Sequence, residues 1–526
     1  MKNSKRDIGR MHLLFISFAA IFGSGWLFAP FYAAQIAGPA SLIAWLLGSA
    51  MSIVIGITMA EVIVLFPKTG GLSHVAKATH GEFLWVAVTI FNLLVFVVLP
   101  AIEVRAVLQY LSSYLKIIQT SEGTLSGIGY ALAIFLLGIV TLVNLYGAKI
   151  TAKITKGVVV LKVVTPIILC ASFFYVLGSD AFDFSRLTNL NFSGGPAFDS
   201  IPWTQVFQAI ATSGIIFSFN GFNQATLFAG EAKNPQKTIP FAILASLLVS
   251  AVLYFVIQYV FIMAIPKESF ANGWDKLTFS GEEGPFAGIS ILLGLGWLAT
   301  LIYADAVVSP LGTAFAYASA APRVFYALTD GAESRLFKPN SKGISPLFVI
   351  VTLVLECLAF VFLPSLKAMI SILVAAFVLC YTVAPTSLLL LRKTQPDLER
   401  PFRVKLAPIA CYLSLFFSNL MVFSCGWIAL RNLIVVSAVL FVGYFGLNSR
   451  KHGKQSVQKN LRDSMWFIFQ LICIGFLCWR NEQRALSFVT ICLGVGGTSL
   501  FALFLSQATA PAIGSSRGKL AAEFSN

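Results

Sequence analysis

Glycine interrupts two of the chain's apolar stretches, at Phe22-Gly23-Ser24-Gly25-Trp26 and at Phe217-Ser218-Phe219-Asn220-Gly221-Phe222-Asn223. An unwound turn in a water-free layer frees backbone N–H and C=O groups that must find partners. Freed N–H groups that start a half-helix suit an anion such as a carboxylate, because the helix dipole and the open donors point the same way. Freed carbonyls suit an ammonium. The two together suit a zwitterion. The competing reading is that these glycines only let helices approach closely, as small residues do. Two clusters in corresponding places favour a binding role over packing alone.

Ionisable residues inside apolar runs are the next candidates. Lys162 lies in Val158-Val159-Val160-Leu161-Lys162-Val163-Val164. A lysine there is costly and is functional by default, although its stem also has the length to snorkel toward a nearby interface. Asp305, Ser309 and Thr313 recur every four residues and so share one helix face. That stripe either faces Lys162 or a ligand, or bonds to neighbouring helices. Glu103 and Arg105 are two apart and face different ways. Arg105 could recognise an acidic group and Glu103 a basic one, or Glu103 could carry a proton; alternatively both sit at an interface. Glu61 reads as structural. The four histidines, His12, His74, His80 and His452, show no metal or triad spacing. No Gly-x4-Gly-Lys-Ser/Thr loop is present, which argues against ATP chemistry. No cofactor is expected.

The elements that must position these residues are membrane helices. Of 526 residues, 57% are hydrophobic and 11% charged, with mean hydropathy +0.84. A soluble domain is about a quarter charged. Long continuous apolar runs, rather than ~10-residue alternating segments, point to helices and exclude a barrel. Spans read at 12–36, 41–66, 83–115, 127–146, 156–178, 206–230, 239–265, 299–328, 345–364, 366–392, 407–427, 430–448, 464–480 and 485–506, with a short extra helix after Gly284-Pro285. The basic N-terminus resembles a signal peptide, but the run that follows is too long for one. All eight cysteines lie in apolar runs without metal spacing and read as small packing residues.

The net charge of +15 does not imply nucleic acid. With the N-terminus inside, the inner segments hold 26 of the 37 Lys and Arg residues and the outer segments 8. That is the pattern of the positive-inside rule, and it puts both termini in the cytoplasm. The polar tail 507–526 reads as disordered.

Gly23-Ser24-Gly25 resembles the Gly-Ser-Gly motif of amino acid–polyamine–organocation (APC) permeases. Four further segments resemble the family in order: Ala60-Glu61 with Phe66-Pro67-Lys68-Thr69-Gly70-Gly71; Ala229-Gly230-Glu231-Ala232-Lys233-Asn234-Pro235 to Ile239-Pro240; Pro322-Arg323-Val324-Phe325-Tyr326-Ala327 with Asp330-Gly331; and Arg400-Pro401-Phe402-Arg403-Val404. They cover about 1–405. The Gly-Ser-Gly-Trp run with Asp305 to Pro310 is similar to a branch containing bacterial aspartate–proton symporters; a neutral substrate stays open.

The resemblance implies an all-α polytopic membrane protein with the 5+5 inverted-repeat fold of sodium-coupled neurotransmitter transporters. Helices 1 and 6 would be broken, and about four helices would be added at the C-terminus. The divisions are a tail 1–11, repeats 12–178 and 206–392, helices 407–506 and a tail 507–526. By resemblance, the Ser24 and Gly25 amides bind a substrate carboxylate. The carbonyls of Ile21, Phe217 and Asn220 bind its α-amino group, Phe222 lines or gates the pocket, and Gly23, Gly25 and Gly221 supply unwound backbone. Lys162 stands where sodium-coupled relatives hold a cation and would couple proton movement to transport. Glu103, Arg105, Asp305 and Ser309 are candidates for side-chain recognition or coupling. The expected partners are an amino acid, protons and the bilayer of a plasma (bacterial inner) membrane. An exchanger, and a nontransporting sensor of the same fold, are the rival expectations.

Overall fold

The computed structural model describes residues 8–66, 71–120, 123–146, 148–188, 202–227, 232–328, 345–363, 365–447, 461–484 and 486–509. The motif residues Pro67 to Gly70, Ala229 to Glu231, and Asp330-Gly331 lie outside them. Among the described residues the structure is helical, and pairing between extended segments is limited to isolated bridges such as Ile8 with Ala232. That follows from the sequence: apolar residues surround these helices on all sides, and only a helix satisfies its own backbone without water. Nine helices among the described residues are long and apolar enough to cross a membrane. Large apolar side chains such as Val160, Tyr175, Val252, Phe362 and Leu493 are exposed on the outside of the bundle, where a soluble protein would place charge.

The first long apolar run is two helices, α1 (Arg10–Ile21) and α2 (Gly25–Ala37), with three residues between them. Next come α3 (Ser41–Leu65), the short α4 (Gly71–His80), α5 (Glu82–Ser112), α6 (Gly127–Leu142) and α7 (Ala148–Leu177). The stretch read as one span at 206–230 is instead three pieces: α8 (Trp203–Thr212), α9 (Ile215–Phe219) and α10 (Gln224–Leu227). Gly214 at φ +105° separates the first two, and Gly221 at φ +117° lies in the turn after α9.

Then follow α11 (Pro235–Ala264), the short α12 (Pro285–Leu292), α13 (Gly296–Ala318) and α14 (Ala321–Leu328). The span read at 299–328 is thus also two helices, divided at Ser319 and Ala320. The chain continues through α15 (Pro346–Phe362), α16 (Leu366–Tyr381), α17 (Val383–Thr394), α18 (Ala407–Ser424), α19 (Trp427–Leu447), α20 (Met465–Gln483) and α21 (Phe488–Thr509).

Packing places the interrupted helices at the centre. α11 runs along both α1 and α3, while α13 runs along α5 and α7. In lipid such contacts gain little from the hydrophobic effect, so close packing and interhelical hydrogen bonds must hold them. Trp45 Nε1 on α3 donates to Gln258 Oε1 on α11 at 2.7 Å, and Gln258 Nε2 donates to the Pro30 carbonyl on α2 at 3.2 Å. At one end of the bundle, the buried Glu61 carboxylate ties α3 to α17. Arg392 reaches it with Nε at 3.0 Å and Nη2 at 2.7 Å, and the Val404 amide donates to it at 2.7 Å.

Candidate functional site

The two interruptions meet. A Cβ added at Gly221 would lie 2.6 Å from the Ala20 carbonyl carbon, and one at Gly25 would collide with Ser218 Oγ. At Gly221 the positive φ and this close approach each exclude an ordinary side chain. The backbone of α1 therefore runs against the turn after α9, and the start of α2 against α9 itself.

The end of α1 is a loosened turn. The Gly23 amide donates to the Ile21 carbonyl at 3.2 Å, and Leu27 donates to the Ser24 carbonyl at 3.1 Å. The Ser24 amide, freed from helical pairing, donates instead to Glu103 Oε2 on α5 at 3.0 Å. The other carboxylate oxygen, Oε1, would stand 2.5 Å from a Cβ at Gly23. A carboxylate thus rests at the N-terminal end of α2, where the dipole favours negative charge. Glu103 is 1% exposed, buried among the helices.

Lys162, 2% exposed, donates to the Ala19 carbonyl of α1 at 3.3 Å and to Thr313 Oγ1 of α13 at 2.5 Å. Thr313 Oγ1 donates in turn to the Ser309 carbonyl at 3.3 Å, and Ser309 Oγ donates to Asp305 Oδ1 at 2.5 Å. Asp305 Oδ2 is buried without a hydrogen-bond partner. The polar stripe on α13 therefore faces Lys162, and the fields of Glu103 and Asp305 both act on the ammonium. Snorkelling is not what Lys162 does here: its Nζ turns to α1 and α13.

Tyr254 and Tyr381 escaped the sequence reading. The Tyr254 hydroxyl on α11 lies 3.2 Å from the Ile21 carbonyl and 3.1 Å from the Ser218 carbonyl. One proton serves two acceptors, one from each interrupted segment. Its ring stacks on Phe22 with centroids 4.6 Å apart. Tyr381 donates to Asn220 Oδ1 at 3.1 Å and packs against Phe222, 5.3 Å between centroids. The signal for Tyr254 was present: Tyr254 and Gln258, four apart in an otherwise apolar run, mark one polar face.

A small cavity of about 10 Å³ lies between the interruptions, lined by Ile21, Gly23, Glu103, Phe217, Asn220 and Thr313 among others. A second, also of about 10 Å³, is lined by Asn220, Phe219, Phe222 and Tyr381 among others. Glu103, Asn220, Phe217 and Phe222 are thus brought together with Ile21, Gly23, Ser24 and Gly25, and Lys162 stands next to them. The Phe217 carbonyl accepts from the Asn220 amide at 3.0 Å. Arg105 is not among these residues. It turns the other way on α5 and donates through Nη2 to the Gly123 carbonyl at 2.7 Å.

Known proteins resemble the chain over most of its length. The family model described as "Amino acid permease" matches residues 8–447. The glutamate/serine transporter AimA of Bacillus subtilis (strain 168) is 30% identical, over 92% of this chain and 89% of that protein. The aspartate-proton symporter of the same organism is also 30% identical, over 89% and 88%. The serine/threonine exchanger SteT, again from that organism, is 24% identical, over 85% and 98%. A crystal structure of a histidine-to-alanine mutant of the Eremococcus coleocola manganese transporter superposes with a TM-score of 0.50, covering 90% of this chain and 96% of that one. At 13% identity this likeness concerns the fold alone.

Proposed function

The chain belongs to the amino acid permease family of the APC superfamily, a group of multi-pass membrane transporters rather than enzymes, and on that premise we propose that it is a proton-coupled amino acid symporter working by alternating access. Residues 12–178 and 206–392 act as two inverted five-helix halves, with 407–506 as additional helices. The tails 1–11 and 507–526 face the cytoplasm of a bacterial inner membrane. α1/α2 and α8–α10 are the broken first and sixth helices, and the substrate binds between them as the halves rock.

The observation that carries this reading is the Glu103 carboxylate held on the Ser24 amide at 3.0 Å. An internal carboxylate occupies the position that the Ser24 and Gly25 amides offer to a substrate. When the substrate's carboxylate takes that place, Glu103 must leave it. The α-ammonium is received by the carbonyls of Ile21, Phe217 and Asn220, and Phe222 closes the pocket. Lys162 couples the cycle. Its ammonium bridges α1 and α13 while charged, and loss of its proton releases that bridge. Asp305 and Ser309 set the charge that Lys162 meets. Similarity to a glutamate/serine transporter and to an aspartate-proton symporter supports an acidic or small hydroxylated substrate.

Proteoliposomes made with no internal amino acid separate the modes of transport. An inside-alkaline pH gradient should drive uptake of radiolabelled aspartate, glutamate or serine. Uptake that requires amino acid trapped inside, and ignores the gradient, would establish exchange instead. Binding without any uptake would establish a sensor.

A further inference from the structure

Glu356 is a buried carboxyl group that the central site does not use. It lies mid-helix in α15 and is 0% exposed, while Val354, Leu358 and Val361 of the same helix face the outside of the bundle. Thr141, equally buried on α6, donates to its Oε2 at 2.5 Å. Its Oε1 has no hydrogen-bond partner. Among the described residues neither oxygen enters an ion pair.

Glu61 and Glu103 show what a buried carboxylate is given elsewhere in this bundle. Glu61 receives the Arg392 guanidinium and the Val404 amide. Glu103 receives the Ser24 amide at the start of α2. Nothing comparable reaches Glu356. α15 packs against α5, α6 and α14. On α5, Glu82, Glu103, Arg105 and Tyr110 bond to Tyr444, Ser24, Gly123 and Leu27 instead. Tyr130 on α6 lies about 16 Å of helix rise from Thr141. Cys357, beside Glu356 on α15, is half-buried, and Arg323 and Tyr326 of α14 lie outside the described side chains.

A carboxylate with one hydroxyl donor and no cation is the costly form of this group in an apolar bundle. A proton removes the charge, and the neutral acid needs fewer partners. Glu356 is therefore a carboxylic acid in this conformation. Packing alone would not keep it, because replacing a buried polar pair by apolar groups of the same shape is nearly neutral or stabilising. An acid adds the capacity to take up and release a proton, a use that intramembrane carboxyl groups serve. The contact also adjoins the helix that holds Lys162. Val140, next to Thr141, clusters with Ala314 and Ala318 of α13, and Thr313 of that helix receives the Lys162 ammonium.

We propose that Glu356, partnered by Thr141, is a second proton-binding group of the transport cycle, apart from Lys162 and from the central cavity. Its carboxylate takes a proton from the outer water and the acid gives it up to the inner water, so two protons move with each substrate. This rests on the proton-coupled reading above.

Infrared spectra and steady-state uptake test it on the full-length protein. The spectrum of the wild type minus that of Glu356→Gln, near neutral pH, should show the carbonyl band of a carboxylic acid, since Glu103 and Asp305 cancel. Carboxylate bands in its place would mean that Glu356 is charged, and would overturn the proposal. Thr141→Val keeps this arm intact if Glu356→Gln does not fold. It removes the acid's one partner, so the acid band should move to higher frequency, and an unmoved band would count against Glu356. In proteoliposomes with the membrane potential clamped at zero, an inside-alkaline gradient of about one pH unit should hold radiolabelled substrate at about a hundredfold accumulation. In Glu356→Gln the plateau should fall to about tenfold, since each proton contributes one factor of about ten. Equal plateaus in the two proteins would overturn the second proton and leave the coupling at Lys162. No gradient-driven accumulation by the wild type would overturn both proposals.

Discussion

Glu103 Oε2 accepts the Ser24 backbone amide at 3.0 Å, so one of the chain's own carboxylates sits at the N-terminal end of α2. On the proposed reading, a bound substrate's carboxylate competes with it. Charge-assisted hydrogen bonds are about twice as strong as neutral ones, so Glu103→Gln should weaken the competitor without removing its shape. Apparent substrate affinity in this variant is expected to rise several-fold, read by calorimetry or radioligand binding. Weaker binding would mean that Glu103 assists the substrate rather than standing in for it.

Lys162 should be needed for coupling and not for folding. Its ammonium joins Ala19 to Thr313, and burial of that charge is costly in itself. Lys162→Ala is expected to abolish pH-gradient-driven uptake in proteoliposomes while the protein still elutes as a folded species. Undiminished pH-gradient drive in this variant would remove Lys162 from the mechanism.

Tyr254 holds the two interrupted segments at one distance through the carbonyls of Ile21 and Ser218. Tyr254→Phe removes the only proton between them and leaves buried carbonyls short of a donor. The loss should be about 1–3 kcal/mol, seen as a lower melting temperature in detergent, together with weaker amino acid binding. A shift in stability with unchanged affinity would make Tyr254 a packing residue only.

His80 ends α4, outside the nine long apolar helices, and burial lowers its pKa from the ordinary 6.5 to about 3. The folded protein keeps it neutral, while the unfolded chain takes up a proton below about pH 6.5. The unfolded state therefore binds more protons between those values, and stability falls as pH drops from about 6.5 toward 3. The slope from this group is at most ~1.4 kcal/mol per pH unit. Subtracting the stability curve of His80→Gln from that of the wild type should show this slope, and a flat difference would mean that His80 is charged in the fold.

Much of the architecture was legible because lipid leaves few choices. Continuous apolar runs forced helices, and the paired glycine clusters marked where α1 gives way to α2 and where α9 ends. The subdivision at Gly214 was not legible, since one glycine in an apolar run reads as helix packing. The break at Ser319 and Ala320 comes just before Pro322 in the first turn of α14, where proline starts a helix and cannot continue one; within an apolar run it reads as a kink at most. Lys162 and the Asp305–Ser309–Thr313 stripe could be found from burial cost and spacing. Their meeting could not, because it depends on how α7 and α13 pack. The same is true of Glu103 and Arg105: spacing said that they diverge, and only the fold says that one reaches Ser24 while the other reaches Gly123.

The central claim is that freed peptide groups at the two interruptions hold both ends of a zwitterion. The most direct measurement compares binding of the preferred amino acid with its methyl ester and its N-acetyl derivative to the purified protein. Each blocked form removes one charge and leaves the side chain alone. The account predicts that both lose binding by more than about a hundredfold, or roughly 2.7 kcal/mol. Binding of either blocked form as tightly as the parent would contradict it.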